Sequence, residues 1–266
     1  NTLGLAFTGG AERYCTDPTY VSKYSSDINK LDWKGKYVVP TATFTWSAVV
    51  GWAKGIQPDY LIVGVVGTAF TTFLNEMDTQ GFDTTLVLHD ATTTFWPTVI
   101  RTMAPYPTRT ALLDGTLYYC GYTWSTEDYP LPNLAEQIMN LYRPDEADDI
   151  LLEPSYRGAL YTALCATEVF SRVLEETKVD EEYDVNEVTG ERLWAQTVGL
   201  DLTQDNALSI LPDIVNVNEP MKFTSTRHML VTHARLFEWS NALGDFQVKS
   251  VSSSYPDGFI PCPKWD

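Results

Sequence analysis

Runs of consecutive apolar residues alternate with stretches of helical periodicity through the first half of the chain. Residues 3–9 form a short apolar run closed by Gly9-Gly10. Residues 36–44 are β-branched and aromatic. Pro40 among them predicts an edge or a bulge, because proline donates nothing to a strand ladder. Residues 60–66, Tyr-Leu-Ile-Val-Gly-Val-Val, are continuously apolar, as a parallel strand covered on both faces must be. Residues 84–89 and 115–122 predict two more strands. Between them, Ser47 is placed to cap a helix carrying Val49, Val50, Ala53 and Ile56. Phe70, Phe73, Leu74 and Met77 recur at i, i+3, i+4, i+7, one buried helix face, and Gly81 reads as the glycine that stops it. Repeated strand–helix alternation predicts an α/β fold with doubly wound, mostly parallel sheets.

The pattern changes after residue 130. Pro130, Pro132, Pro144 and Pro154 cut the chain into shorter pieces. Residues 133–142 predict a helix with Leu134, Ile138 and Leu141 on one side. The strongest helix is predicted over 156–176, its buried stripe formed by Leu160, Ala163, Leu164, Thr167, Phe170 and Leu174. Ala159, Ala163 and Ala166 would permit close packing. Residues 180–187 read as an acidic, solvated stretch, and 190–198 as a short helix closed by Gly199. Residues 227–239 alternate, Gly244-Asp245 makes a turn, and 246–251 follow. That is a hairpin signal, predicting an antiparallel pair beside the parallel sheet.

Composition narrows the function. The 266 residues include 18 Lys and Arg against 35 Asp and Glu, a formal charge of −17. A nucleic-acid partner needs the opposite sign, since phosphate binding works by lysine and arginine releasing counterions. An anionic membrane surface is disfavoured for the same reason. A hydrophobic content of 44% with 13% aromatic residues places the chain among folded proteins. No stretch reaches the ~20 apolar residues of a membrane helix, and no signal-peptide pattern is visible.

Several chemistries find no support. Cys15, Cys120, Cys165 and Cys262 form no C-x-x-C pair, and they are compatible with disulfides or with buried thiols. His228 and His233 are five residues apart in a predicted strand, so they point to opposite faces. No G-x-S-x-G elbow, P-loop or G-x-G-x-x-G fingerprint occurs. No cofactor or metal is expected.

What remains gathers at predicted strand ends. Gly64-Val-Val-Gly67-Thr68 follows a strand and opens a helix, where a ligand would meet free N–H groups; close strand–helix packing explains the glycines equally well. His89-Asp90 ends the next strand. Ligands of open α/β sheets bind outside the carboxyl ends of the strands, although an aspartate there can also serve as a turn cap. Tyr118, Tyr119, Tyr122, Trp124 and Tyr129 crowd the end of a further strand, as in a ligand pocket or a packed junction.

In order along the chain, these features resemble a known family. Residues 57–81 (Gln-Pro-Asp-Tyr-Leu-Ile-Val-Gly-Val-Val-Gly-Thr through Gly81), then Leu86-Val-Leu-His-Asp90, Leu117-Tyr-Tyr-Cys-Gly-Tyr-Thr-Trp124, the alanine-rich 156–176, Thr189-Gly-Glu191 and Asn241-Ala-Leu-Gly-Asp-Phe246 are similar to the type I periplasmic binding proteins. These are the branched-chain amino acid and amide receptors of ABC importers. The resemblance covers most of 35–250. It implies two α/β lobes joined by crossovers, a small-molecule ligand held between them, hinge closure, no enzymatic activity, a periplasmic or extracellular setting, and ABC transporter membrane subunits as partners. The implied division is 1–118 as lobe 2, 119–132 as hinge crossover, 133–215 as partial lobe 1, and 216–266 as return crossover and hairpin. The first lobe reads as incomplete, so an upstream segment or a second chain is expected to complete it.

The resemblance also implies site residues. Asp90 stands near an acidic position that accepts a ligand ammonium. Gly67 and Thr68 stand in a turn that touches ligand. Tyr14 follows the first strand, where an aromatic contacts solute, and His89, Tyr122 and Trp124 stand nearby. Val65 and Val66 occupy the place of a family tyrosine, which leaves amides and aromatic acids open beside amino acids. A signalling receptor with the same lobes, or an α/β enzyme using Asp90 and His89, are the alternatives.

Overall fold

The computed structural model describes residues 12, 13, 15–18, 32–39, 45–65, 67–88, 90–120, 124, 130–179, 182–198, 200 and 235–251. The chain divides into two units, one of Asn1–Tyr119 with Phe237–Gln247 and one of Cys120–Leu236 with Val248–Asp266.

In the first unit, α1 (Ser47–Ile56) precedes β1 (Tyr60–Val63), α2 (Thr68–Gln80) and β2 (Thr85–Leu88). Three short helices follow, α3 (Asp90–Thr93), α4 (Trp96–Met103) and α5 (Pro107–Ala111), and then β3 (Leu117–Cys120). β6 (Arg235–Ser240) and β7 (Asp245–Val251) complete a five-stranded sheet in the order β1-β2-β3-β6-β7. β1, β2 and β3 run parallel. Only residues 241–244 join β6 to β7, too few for a parallel crossover, so this neighbouring pair is an antiparallel hairpin. The sheet is therefore mixed, as the periodicity predicts.

The α2 stripe behaves as its spacing requires. Phe70, Phe73, Leu74 and Met77 are all buried, and Gly81 ends the helix in the left-handed region at φ 58°. β2 buries Leu86 and Leu88, and β6 alternates buried and half-buried positions. The core is aromatic. Trp96 lies 5.3 Å from Trp239 and 5.1 Å from Phe246, and Tyr118 stacks on Phe237 at 5.8 Å. At the surface Arg109 bonds Asp78 at 3.0 Å and stands 4.1 Å above the Tyr106 ring. The Arg109 bond, with help from Thr108, holds the Asp78 carboxyl below its usual range.

Some sequence expectations need correction here. Residues 36–39 form no strand; Pro40 follows them and denies a ladder its donor. Trp46, not Ser47, is the N-cap of α1, and its side chain makes no cap bond. Among the described residues, 64 and 65 stand outside β1, 84 outside β2, and 115 and 116 outside β3; residues 66, 89, 121, 122 and 227–234 of the predicted strands lie outside the described residues. Residues 3–9 lie outside the described residues.

The second unit is mostly helical: α6 (Pro130–Tyr142), a 3₁₀ turn (Pro144–Glu146), α7 (Ala147–Leu151), α8 (Pro154–Glu176) and α9 (Gly190–Val198). A two-stranded hairpin, β4 (Lys178–Val179) with β5 (Glu182–Tyr183), and a second 3₁₀ turn (Val185–Glu187) separate α8 from α9. The acidic 180–187 region thus contains local structure, although its described residues are exposed.

Two helix faces differ from expectation. α6 buries Ala135 and Met139, one residue round from the predicted Leu134–Ile138–Leu141 stripe, and leaves Leu141 71% exposed. α8 packs on α6, α7 and α9 with Leu164, Cys165, Glu168, Val169 and Val173 buried, while Ala163, Thr167 and Phe170 are exposed. Of the predicted stripe only Leu164 is buried, and Leu160 and Leu174 are half-buried. The inner face carries an ion pair instead: Arg172 Nε donates to Glu168 Oε1 at 2.7 Å, and Glu168 is fully buried.

Candidate functional site

Parallel pairing brings two chain turns to one edge of the first unit's sheet. Val63 is the register partner of Leu88, so β1 and β2 end level with one another. Adjacent strands lie about 4.8 Å apart. The turn leading to Gly67-Thr68 and the turn leading to Asp90 therefore leave the sheet side by side. β3 reaches the same level, with Tyr118 paired to Leu88. This is the carboxyl edge, where open α/β sheets bind their ligands.

Local chemistry explains each turn. Gly67 has φ 58° and ψ −136°, a conformation costly for any residue with a Cβ. It lets the chain turn sharply from β1 into α2. The N-cap of α2, Gly67, has no side chain to cap it, so the first N–H groups of the helix carry the positive end of its dipole without help from their own cap residue. The nearby hydroxyls are engaged locally. Thr71 Oγ1 donates to the Thr68 carbonyl at 2.8 Å, and Thr72 Oγ1 donates to the Ala69 carbonyl at 3.0 Å. Thr72 also accepts from Trp46 Nε1 at 2.8 Å.

The second turn is tied to the first. Thr92, fully buried in α3, donates its hydroxyl to the Val63 carbonyl at 3.1 Å. That bond joins the start of α3 to the end of β1. Phe95 follows α3, and its ring comes within 3.6 Å of the place a Gly67 Cβ would occupy. Phe95 is nonetheless 49% exposed. The edge therefore presents a helix N-terminus capped by a glycine, an exposed hydroxyl residue at Thr68, and an open aromatic ring. Such a surface can hold an anionic or carbonyl group at the N–H end and an apolar or aromatic group against the ring.

Of the residues singled out from sequence, Gly67, Thr68 and Asp90 come together at this edge, Asp90 as the first residue of α3. Trp124 belongs to the second unit and is 1% exposed. Tyr14, His89 and Tyr122 lie outside the described residues. Sequence reasoning missed Phe95 and the tie made by Thr92. Nothing in the run Thr92-Thr93-Thr94-Phe95 distinguishes the outward ring from a core residue. Among the described residues, no group of three or more His, Cys, Asp or Glu could hold a metal ion, and no helix is long and apolar enough to cross a membrane.

No family model matches the chain, and no curated protein matches it. Solved structures do. A branched chain amino acid ABC transporter from Thermus thermophilus with bound valine is 18% identical, with a TM-score of 0.62 over 92% of this chain and 58% of its own. An amino acid ABC transporter substrate-binding protein from Pseudomonas fluorescens Pf-5 is 14% identical, with a TM-score of 0.59 over 97% of this chain and 58% of its own. An ABC transporter substrate binding protein from Aeropyrum pernix is 12% identical, with a TM-score of 0.58 over 96% of this chain and 64% of its own. The chain thus spans about three fifths of the length of these structures. At such identities the likeness is one of architecture: the chain has the α/β fold of the type I periplasmic binding proteins.

Proposed function

We propose that this chain is the solute-capturing part of an extracytoplasmic receptor serving an ABC-type importer, and that it binds its solute without transforming it. The observation that carries this reading is the level ending of β1 and β2, which sets the Gly67–Thr68 turn beside Asp90 at the sheet's carboxyl edge. The N-terminus of α2 would take a carboxylate or amide oxygen, Asp90 a cationic or N–H group, and Phe95 the apolar part. A small organic solute with those groups fits: an amino acid, an amide or an aromatic acid. The neighbours with bound valine or with amino acid transport in their descriptions support this class.

The importer's membrane subunits would be the protein partners, in a periplasmic or extracellular setting. About two fifths of the neighbours' length has no counterpart in this chain, and a further segment or second chain is the expected source of what corresponds to it.

Titration calorimetry against amino acids, amides and aromatic acids tests the reading. Binding in the micromolar range, about −8 kcal/mol, is expected for one class. Asp90→Ala should cost about 2–5 kcal/mol for a cationic solute if the carboxylate pairs with it in a dry site. Unchanged affinity would remove Asp90 from the site. Turnover of any bound solute, or binding of none by the chain with its completing segment, would overturn the receptor assignment.

A further inference from the structure

Phe95 is an exposed aromatic ring on a rigid mount. Its neighbours Thr92, Thr93 and Trp96 are fully buried, and Pro97 is buried as well. The Thr92 hydroxyl ties the preceding helix to β1, and the Phe95 carbonyl accepts the Val99 N–H at 3.0 Å in the first turn of α4. Between these anchors the ring itself stands half in solvent. A single exposed apolar side chain is ordinary on a protein surface, but three observations set this one apart. It stands at the carboxyl edge, against the Gly67 turn, where open α/β sheets bind their ligands. The two stretches that form this edge, 60–75 and 91–100, contain no Asp, Glu, Lys or Arg, so neither supplies a charged stem to lie across the ring. The ring also meets Gly67 by one side. Its Cδ2 and Cε2 stand 3.6 and 3.8 Å from the Cβ position, and no other ring atom comes within 4 Å. A ring stacked flat on that point would bring all its carbons about equally close, so the faces of Phe95 are left for another group.

We propose that Phe95 is the specificity-determining residue of this edge, and that the solute carries a flat aromatic ring which stacks on it. The inference rests on the receptor reading above and narrows it to aryl-bearing amino acids, acids or amides. Offset or edge-to-face pairing of two rings adds to what area burial alone gives, by about three- to tenfold in affinity. A puckered saturated ring of similar size is at least as apolar but has no π-face, so Phe95 separates the two by shape and quadrupole and not by hydrophobicity. The rigid mount matters because an aromatic held in place beforehand loses little freedom when the solute lands on it.

Titration calorimetry with three matched pairs of probes tests this: phenylalanine and cyclohexylalanine, benzoate and cyclohexanecarboxylate, benzamide and cyclohexanecarboxamide. The wild-type chain should favour the phenyl member about three- to tenfold in the pair whose polar head it accepts. Phe95→Tyr should keep that ratio, and Phe95→Leu should bring it to about one. A residue that only supports the fold would lower both members alike and leave the ratio where it was. A wild-type ratio of about one or below overturns the inference and leaves the receptor reading standing. So does a ratio that survives Phe95→Leu, and so does binding of valine or leucine with none of the six probes bound. Binding of no solute at all, with the completing segment present, overturns both.

Discussion

The ring of Phe95 closes over Gly67, within 3.6 Å of where a Cβ would stand. That separation is ordinary van der Waals contact, so space is not the obstacle to a larger residue. The backbone is, with φ at 58° and ψ at −136°. Gly67→Ala should therefore destabilise the chain by about 1–3 kcal/mol through strain alone, read as a lower urea midpoint with an unchanged m-value. Phe95→Ala should behave oppositely. With about half its surface already exposed, the ring contributes little to folding, and its loss should weaken solute binding while the urea midpoint stays within about 0.5–1 kcal/mol of wild type.

Thr92 holds the two turns together. Thr92→Val keeps the shape, removes the hydroxyl and leaves the buried Val63 carbonyl without its 3.1 Å donor. The expected loss is about 1–3 kcal/mol. Backbone amide exchange after β1 should quicken in the variant; unchanged exchange there would show that the two turns are held independently.

Trp96 is fully buried, yet its indole N–H finds no acceptor among the described residues. Its rings pack against Phe70, Trp239 and Phe246. Trp96→Ala should cost about 3–5 kcal/mol, as large-to-small core changes do. Trp96→Phe retains most of the contact and discards the unsatisfied donor, so it should cost about 1 kcal/mol or less. Equal costs in chemical denaturation would mean that the N–H is bonded in solution.

Glu168 and Cys165 share the inner face of α8. Burial, reinforced by the Glu168 charge, pushes the Cys165 thiol up to about 12. In the unfolded chain it ionises near 9.0. The unfolded state thus loses a proton first, and the stability that Cys165 contributes is complete below pH 9.0 and declines as the pH rises toward 12. Cys165→Ala should remove that alkaline decline. Glu168→Gln should bring the thiol partly down and speed its alkylation, followed by peptide mass spectrometry. Glu168→Ala, which leaves Arg172 without this 2.7 Å partner, should cost about 3–5 kcal/mol.

What was legible in the sequence was what neighbours along the chain decide. The α2 stripe from Phe70 to Met77, the Gly81 stop and the helix over 190–198 all follow from i to i+4 spacing and a left-handed glycine. So does the β6–β7 hairpin, read from alternation and a short turn. At the site, Gly67, Thr68 and Asp90 were read from predicted strand ends, and parallel register sets the ends of β1 and β2 level with one another.

Phe95 and the buried face of α8 were not legible, for a common reason. α8 carries apolar residues most of the way round, so periodicity marks no unique inner side. Which side is buried depends on the helices α6, α7 and α9 that meet it, and the side with Glu168 and Arg172 can go inward because the two charges pair with one another at i, i+4. The position of Phe95 is likewise set by contacts remote in the chain: Thr92 in the preceding helix bonds β1, and the ring lies against Gly67. Local periodicity thus determined which segments are helices and strands and where they stop. Only the tertiary structure decided which faces they bury and which distant residues share an edge, because those outcomes depend on partners far away along the chain.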